Sequence, residues 1–150
     1  MKPKWLEIAL KEVGVSEIKG GENKRILEYH ASTTLKAKED EIPWCSSFVN
    51  WCMVQAGLPG TNSAAARSWL GYGIELDEPR EGCICVIQQK VAGKDPATGS
   101  TSGFHVGFYI ERGINRVRLL GGNQGDSVKE SGFGLANYKV VSYRWPSEVK

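Results

Sequence analysis

One cysteine, one histidine and one asparagine have types and surroundings that fit a single chemistry. Cys45 lies in Pro43-Trp44-Cys45-Ser46-Ser47-Phe48-Val49-Asn50-Trp51-Cys52. Pro43 can open a helix, because its missing N–H would be unpaired in the first turn anyway. Cys45, Phe48, Val49, Cys52, Met53 and Ala56 then recur at helical spacing as one apolar face, and Gly57-Leu58-Pro59-Gly60 stops the helix. A thiol at that end meets unpaired N–H groups and the positive end of the helix dipole, both of which favour the nucleophilic thiolate. Such a nucleophile needs a base, and the base needs a group that orients it.

The chain has two histidines. His30 falls in a helical segment beside apolar residues and reads as a surface or hydrogen-bonded structural histidine. His105 falls in Phe104-His105-Val106-Gly107-Phe108-Tyr109-Ile110, an alternating strand that places His105, Gly107 and Tyr109 on one face. Gly107 removes bulk beside His105, as an approaching substrate or helix would require. If the next strand folds back so that Ile110 pairs with Arg116, Asn123 lies diagonally from His105 on the same face. Asn123 can then accept from one ring N–H and turn the other nitrogen toward Cys45.

These residues require elements to carry them. Helices are predicted over Lys2–Val13, from Glu22 to about Ala31, from the Cys45 stretch, and over Ser63–Leu70 with Ser63 as N-cap. Beyond Pro79-Arg80-Glu81-Gly82 the pattern changes. Cys83–Ile87 reads as a central strand, followed by Phe104–Ile110, Arg116–Leu120, Ser127–Glu130 and Tyr138–Trp145. Lys90–Gly103, rich in Gly, Ser, Thr, Lys and Pro, reads as a mobile loop bordering the cleft at His105. Helices first and an antiparallel sheet second is an α+β layout.

A chain of 150 residues with 41% hydrophobic and 24% charged content is one domain with a core. A net charge of +2 does not argue for nucleic acid. The charged N-terminal segment is followed by no uninterrupted apolar run, so neither a signal peptide nor a membrane span is expected. The four cysteines, Cys45, Cys52, Cys83 and Cys85, lack the usual zinc spacing, and no metal or cofactor is expected. The plain reading of Cys52, Cys83 and Cys85 is small buried hydrophobe. Trp44, Trp69 and Tyr72 are candidates to line a substrate cleft. Glu39-Asp40-Glu41 reads as a solvated charged loop, or one that binds an amine or cation.

The Pro43–Cys52 stretch, Ala56-Gly57-Leu58-Pro59-Gly60, Ala66-Arg67-Ser68-Trp69-Leu70, Gly103-Phe104-His105-Val106-Gly107 and Leu120-Gly121-Gly122-Asn123-Gln124, in that order, resemble the papain-like cysteine amidohydrolases of the CHAP and NlpC type. These are bacterial and phage enzymes that cut peptidoglycan. The resemblance covers nearly the whole chain and implies a papain-like α+β fold in a single catalytic domain over residues 1–150, without a separate wall-binding domain. It makes Cys45 the nucleophile, His105 the general base and acid, and Asn123 the residue that orients His105. Many CHAP enzymes carry a glutamate where this chain has Gly121, so no acidic fourth member is assigned. The glutamine that papain-like enzymes often place before the cysteine is replaced by Glu39-Asp40-Glu41, leaving the Cys45 N–H and an unassigned group for the oxyanion. The implied partner is bacterial peptidoglycan, with no nucleic acid and no membrane insertion, acted on by a monomer. A phage endolysin, made in the host cytoplasm and acting on the wall after release, fits this reading. An antibacterial amidase effector and a non-catalytic wall-binding module on the same fold are the alternatives.

Overall fold

The computed structural model describes residues 2–19, 21–34 and 43–150. Glu39-Asp40-Glu41 lies outside the described residues. Helices α1 (Lys4–Lys11), α2 (Lys24–Ala31) and α3 (Cys45–Gln55) come first, then a 3-10 helix at Ala66–Gly71. Strands β1 (Ile74–Glu75), β2 (Ile84–Gln89), β3 (Phe104–Arg112), β4 (Arg116–Gln124), β5 (Ser127–Gly134) and β6 (Tyr138–Trp145) follow. They form one six-stranded antiparallel sheet in the order β1-β6-β2-β3-β4-β5. The class is α+β, and β2 and β3 lie inside the sheet as their apolar runs require.

The helix starts differ from the sequence expectation in instructive ways. α1 is shorter than Lys2–Val13, because Pro3 occupies its N-cap and Glu12 its C-cap. Asn23 caps α2 by accepting the Arg25 N–H at 2.9 Å. Trp44 is the N-cap of α3, so Pro43 stands just outside the helix rather than in its first turn. Ser63 accepts the Ala65 N–H at 3.1 Å, which makes a local turn, and the helix after it is 3-10 rather than α.

α3 is also more than an amphipathic helix. Ser46, Ser47 and Asn50 are as fully buried as Phe48, Val49, Cys52 and Met53. Burying polar side chains is tolerated only when they are hydrogen-bonded. Ser46 donates to Ser63 O at 2.6 Å and accepts from the Trp69 indole at 2.8 Å. Ser47 Oγ lies 2.8 Å from His30 Nδ1, so His30 is a structural histidine of the core. Asn50 donates to Ser32 O and accepts the Asn62 N–H, both at 2.9 Å. These bonds tie α3 to α2 and to the loop before the 3-10 helix, and so fix where its first residue, Cys45, must sit.

The sheet face toward α3 carries Phe108, whose ring meets Phe48 edge-on at 6.3 Å between centroids. Tyr29 stacks on Trp44 at 5.8 Å and meets Phe48 at 5.1 Å. Gly122 lets β4 approach this cluster: a Cβ there would lie 2.7 Å from the Trp44 ring and 2.8 Å from Phe48 Cβ. The N-terminal end of α3 is thereby clamped against the C-terminal end of β4. All four cysteines are buried free thiols.

Candidate active site

Cys45 opens α3 and is 5% exposed. The backbone N–H groups of Val106, Ser46 and Cys45 itself favour its thiolate electrostatically. The Val106 effect has a topological cause. On β3, Tyr109 exchanges backbone hydrogen bonds toward β2, donating to Cys83 O at 2.8 Å and accepting from Gly82 N at 2.7 Å. Odd-numbered residues therefore face β2, and the N–H groups of even-numbered residues face β4. Pairing of β3 with β4 stops at Phe108 and Leu120, and β4 is bulged between Gly121 and Gln124. Past that point the Val106 N–H is released from the ladder and acts on the Cys45 thiol, lowering its pKa.

The thiolate expected from the helix terminus is not the form this site favours. Burial pushes the Cys45 thiol up, and the three N–H groups that lower it are outweighed. Cys45 at rest is a buried neutral thiol.

His105 is 1% exposed, with its ring against Phe133 at 5.4 Å between centroids. Its Nε2 lies 2.9 Å from Gln124 Oε1. The amide nitrogen of Gln124 is committed elsewhere, donating to Leu119 O at 3.1 Å and Lys129 O at 2.8 Å. Gln124 can therefore only accept from His105, which fixes the proton on Nε2 and leaves Nδ1 as the basic nitrogen. Nδ1 is buried and has no hydrogen-bond partner. Burial lowers the His105 pKa to about 4, against the opposing effects of the Gln124 bond and the Asp95 carboxylate. The imidazole is neutral at physiological pH.

The bond to His105 expected from Asn123 thus comes from Gln124. The strand pair explains the exchange. Phe108 faces Leu120 rather than Arg118, a slip of two residues that preserves faces and, continued along the strands, would set Asn123 directly opposite His105. The bulge then breaks the alternation, so Gln124 takes the face that Gly121 and Gly107 occupy. Gly107 is bare for this reason: a Cβ there would sit 3.4 Å from Gln124 Oε1 and 3.2 Å from Leu119 Cβ. The space beside His105 is filled by Gln124 and not by a substrate.

Asn123 does something else. It is 2% exposed with a left-handed φ of 57°, and its Oδ1 is buried without a partner. It lines a cleft of about 960 Å³ together with Glu17, Ile18, Lys19, Pro43, Lys94, Pro96, Gly99, Thr101 and Asp126. Lys94, Pro96, Gly99 and Thr101 of the Lys90–Gly103 loop border this cleft, and the loop is anchored by hydrogen bonds. Asp95 is buried, accepts the Ala97 N–H at 2.9 Å and the Tyr138 hydroxyl at 2.6 Å, and its carbonyl accepts the Gly99 N–H at 2.7 Å.

The aromatic candidates do not line the cleft. Trp44 and Trp69 are fully buried, Trp44 donating to Glu17 at 2.8 Å and Trp69 to Ser46. Tyr72 packs on Trp69 at 4.7 Å and donates to Pro59 O at 2.6 Å. They brace the site from beneath. Gln124 and Asp95 are the residues that sequence reasoning passed over. Gln124 directly follows Asn123, and Asp95-Pro96-Ala97-Thr98-Gly99 carries the turn-forming residues of an anchored loop.

Among the described residues no helix is long and apolar enough to cross a membrane, and no three His, Cys, Asp or Glu side chains cluster as metal ligands. No protein-family model matches the chain, and no curated protein sequence matches it significantly.

Proposed function

We propose that the protein is a cysteine-dependent amidohydrolase that cuts an amide bond in or next to the stem peptide of bacterial peptidoglycan. The observation that carries this reading is the state of His105. It is a neutral imidazole with its proton pinned on Nε2 by Gln124 and its Nδ1 lone pair unpartnered. It stands one residue from the backbone N–H that acts on the Cys45 thiol. A strand histidine with that tautomer, beside a cysteine at a helix N-terminus, is equipped for general-base activation of a thiol. The ordered resemblance of Pro43–Cys52, Gly103–Gly107 and Leu120–Gln124 to papain-like CHAP and NlpC enzymes supplies the substrate class.

In this mechanism Nδ1 takes the Cys45 thiol proton as the sulfur attacks the amide carbonyl. The imidazolium then gives that proton to the leaving amine, and the acyl group stays on sulfur as a thioester. A water molecule, deprotonated by Nδ1, attacks the thioester, and the proton returns to the thiol. In the resting arrangement Nδ1 and the sulfur share no hydrogen bond; such bonds commonly tighten only once substrate is bound. As the tetrahedral adduct forms, the Cys45 N–H at the helix start turns its hydrogen bond to the oxyanion.

The test is turbidity loss of permeabilised bacteria, followed by mass spectrometry of digested, purified peptidoglycan. The unmodified protein clears the suspension, while Cys45→Ala and His105→Ala do not. Equal clearing by the variants overturns the assignment. A free lactyl carboxylate on muramic acid identifies an amidase, and shortened stems on intact muramic acid identify an endopeptidase.

A further inference from the structure

The reacting groups are shut in. Cys45, His105, Asn123 and Gln124 are all buried, and the cleft beside them is lined by Asn123 but by neither Cys45 nor His105. A polymer does not reach them in this state. Resting on the function proposed above, we infer that residues 94–101 form a lid, latched shut over His105 and Asn123 by Asp95 and Tyr138, which swings open to admit substrate.

The lid is built as one piece. The Asp95 carbonyl accepts the Gly99 N–H at 2.7 Å, the Ser100 carbonyl accepts the Asp95 N–H at 2.9 Å, and the Asp95 carboxylate accepts the Ala97 N–H at 2.9 Å. Three contacts dock this unit on the site. The Tyr138 hydroxyl donates to Asp95 at 2.6 Å, and the Tyr138 ring packs on Phe133, which packs on His105. The Gly125 N–H, next after Gln124, donates to Ala97 O at 2.9 Å. Gly99 lies so close to Asn123 that a Cβ there would come to 2.9 Å from Nδ2.

The two legs of the lid are free to turn. Gly93 and Gly103 flank it with φ of 111° and 86°. A Cβ at Gly93 would meet nothing within 4 Å, and one at Gly103 only the Gln89 carbonyl at 4.0 Å. Between the legs lies a cavity of about 330 Å³ lined by residues 88–93 and 101–103. Glycines without close neighbours, beside open space, suit a hinge. The shut state also carries a cost, because His105 Nδ1 and Asn123 Oδ1 are buried without partners. Opening lets water reach both atoms, which narrows the gap between shut and open. The Asp95–Tyr138 bond is the side-chain latch that holds the balance toward shut.

The lid is tested without substrate. The full chain is treated with diethyl pyrocarbonate, which acylates neutral imidazole, and labelling of His105 and His30 is followed by mass spectrometry. His30 is buried in α2, so its labelling reports global unfolding, whereas lid opening exposes His105 alone. Tyr138→Phe is expected to raise the His105 rate about fivefold, the factor for one lost hydrogen bond, with His30 unchanged. Gly99→Ala, wedged off Asn123, raises it by a second route. Tyr72→Phe loses a hydroxyl bond of the same 2.6 Å length, to Pro59 O, and leaves His105 labelling unchanged. An unchanged His105 rate in either lid variant, an equal rise at His30, or the same rise in Tyr72→Phe overturns the inference. The expected labelling in a protein that fails to clear bacteria overturns the proposed function and leaves the lid standing. Unaltered labelling in a protein that clears them does the reverse.

Discussion

The Nε2 proton of His105 rests on Gln124 Oε1 at 2.9 Å, and Gln124 is held by two carbonyls that leave it no other role. Replacing the amide by a carboxylate at this one position changes the charge behind the imidazole. In Gln124→Glu an ionised carboxylate stabilises the imidazolium and raises the His105 pKa. The acid limb of kcat/KM moves to higher pH, while Asn123→Ala leaves that limb in place. An unmoved limb in Gln124→Glu means that Gln124 is not the partner of His105 in the working enzyme. Gln124→Leu removes the lock on the tautomer altogether, and kcat falls about 100-fold.

The resting charges of the pair set a second expectation. With His105 lowered to about 4 and the Cys45 thiol raised, the site holds two neutral groups at pH 7. Alkylation of Cys45 by iodoacetamide should rise only in the alkaline range, above that of an ordinary thiol, with no plateau at acid pH. A plateau between pH 5 and pH 8, of the kind a preformed thiolate–imidazolium pair gives, would contradict the neutral pair (a range of roughly three pH units separates the cases). The same shift bears on stability. Between about pH 6.5 and about pH 4 the unfolded chain binds the His105 proton and the folded protein does not, so stability falls as pH is lowered through this window.

The elements that carry the site are legible in the chain because each has a strong local signal. The alternation of Phe104–Ile110 and the β-branched run at Ile84–Ile87 specify strands, and the apolar spacing after Cys45 specifies a helix. The part that sequence does not reveal is which polar residue reaches His105. That depends on a bulge in β4 between Gly121 and Gln124, a product of packing. Gly122 must be bare to admit Trp44 and Phe48, and Gly107 and Gly121 to admit Gln124. Three glycines that read locally as turn or gap residues are set by contacts many residues away. The burial of Cys45 is equally a tertiary result, and it reverses the charge state that the helix terminus alone favours.

Asp95 acts on His105 from the loop, and its two roles can be separated. Its carboxylate raises the His105 pKa against the effect of burial, and it also holds the Ala97 N–H and the Tyr138 hydroxyl. Asp95→Asn removes the charge, so the acid limb of kcat/KM moves to lower pH and thermal stability drops by about 1–3 kcal/mol. Tyr138→Phe removes one hydrogen bond but keeps the charge. It should cost about 1 kcal/mol while leaving the limb where it is. A limb that moves equally in both variants would assign the effect to loop geometry and not to charge.

Gly122 tests whether the clamp between β4 and α3 positions the nucleophile. The glycine is not in the left-handed region, so alanine adds only volume. Its Cβ would fall 2.7 Å from Trp44 Cε3 and Cζ3 and 2.8 Å from Phe48 Cβ, inside contact distance of two fully buried side chains. Neither is the free end of a flexible chain, so helix and strand must separate. Overpacking of this kind costs about 1–3 kcal/mol, and at about 2–4 °C per kcal/mol the melting temperature falls by several degrees. The separation also withdraws the Cys45 sulfur from the Val106 N–H, so kcat falls by more than the loss of folded protein explains. Gly134→Ala, on β5 with nothing within 4 Å of the added carbon, is the matched control. It should change neither melting temperature nor kcat appreciably, and a Gly122→Ala protein that behaves the same way would show that the α3 terminus is not held by this contact.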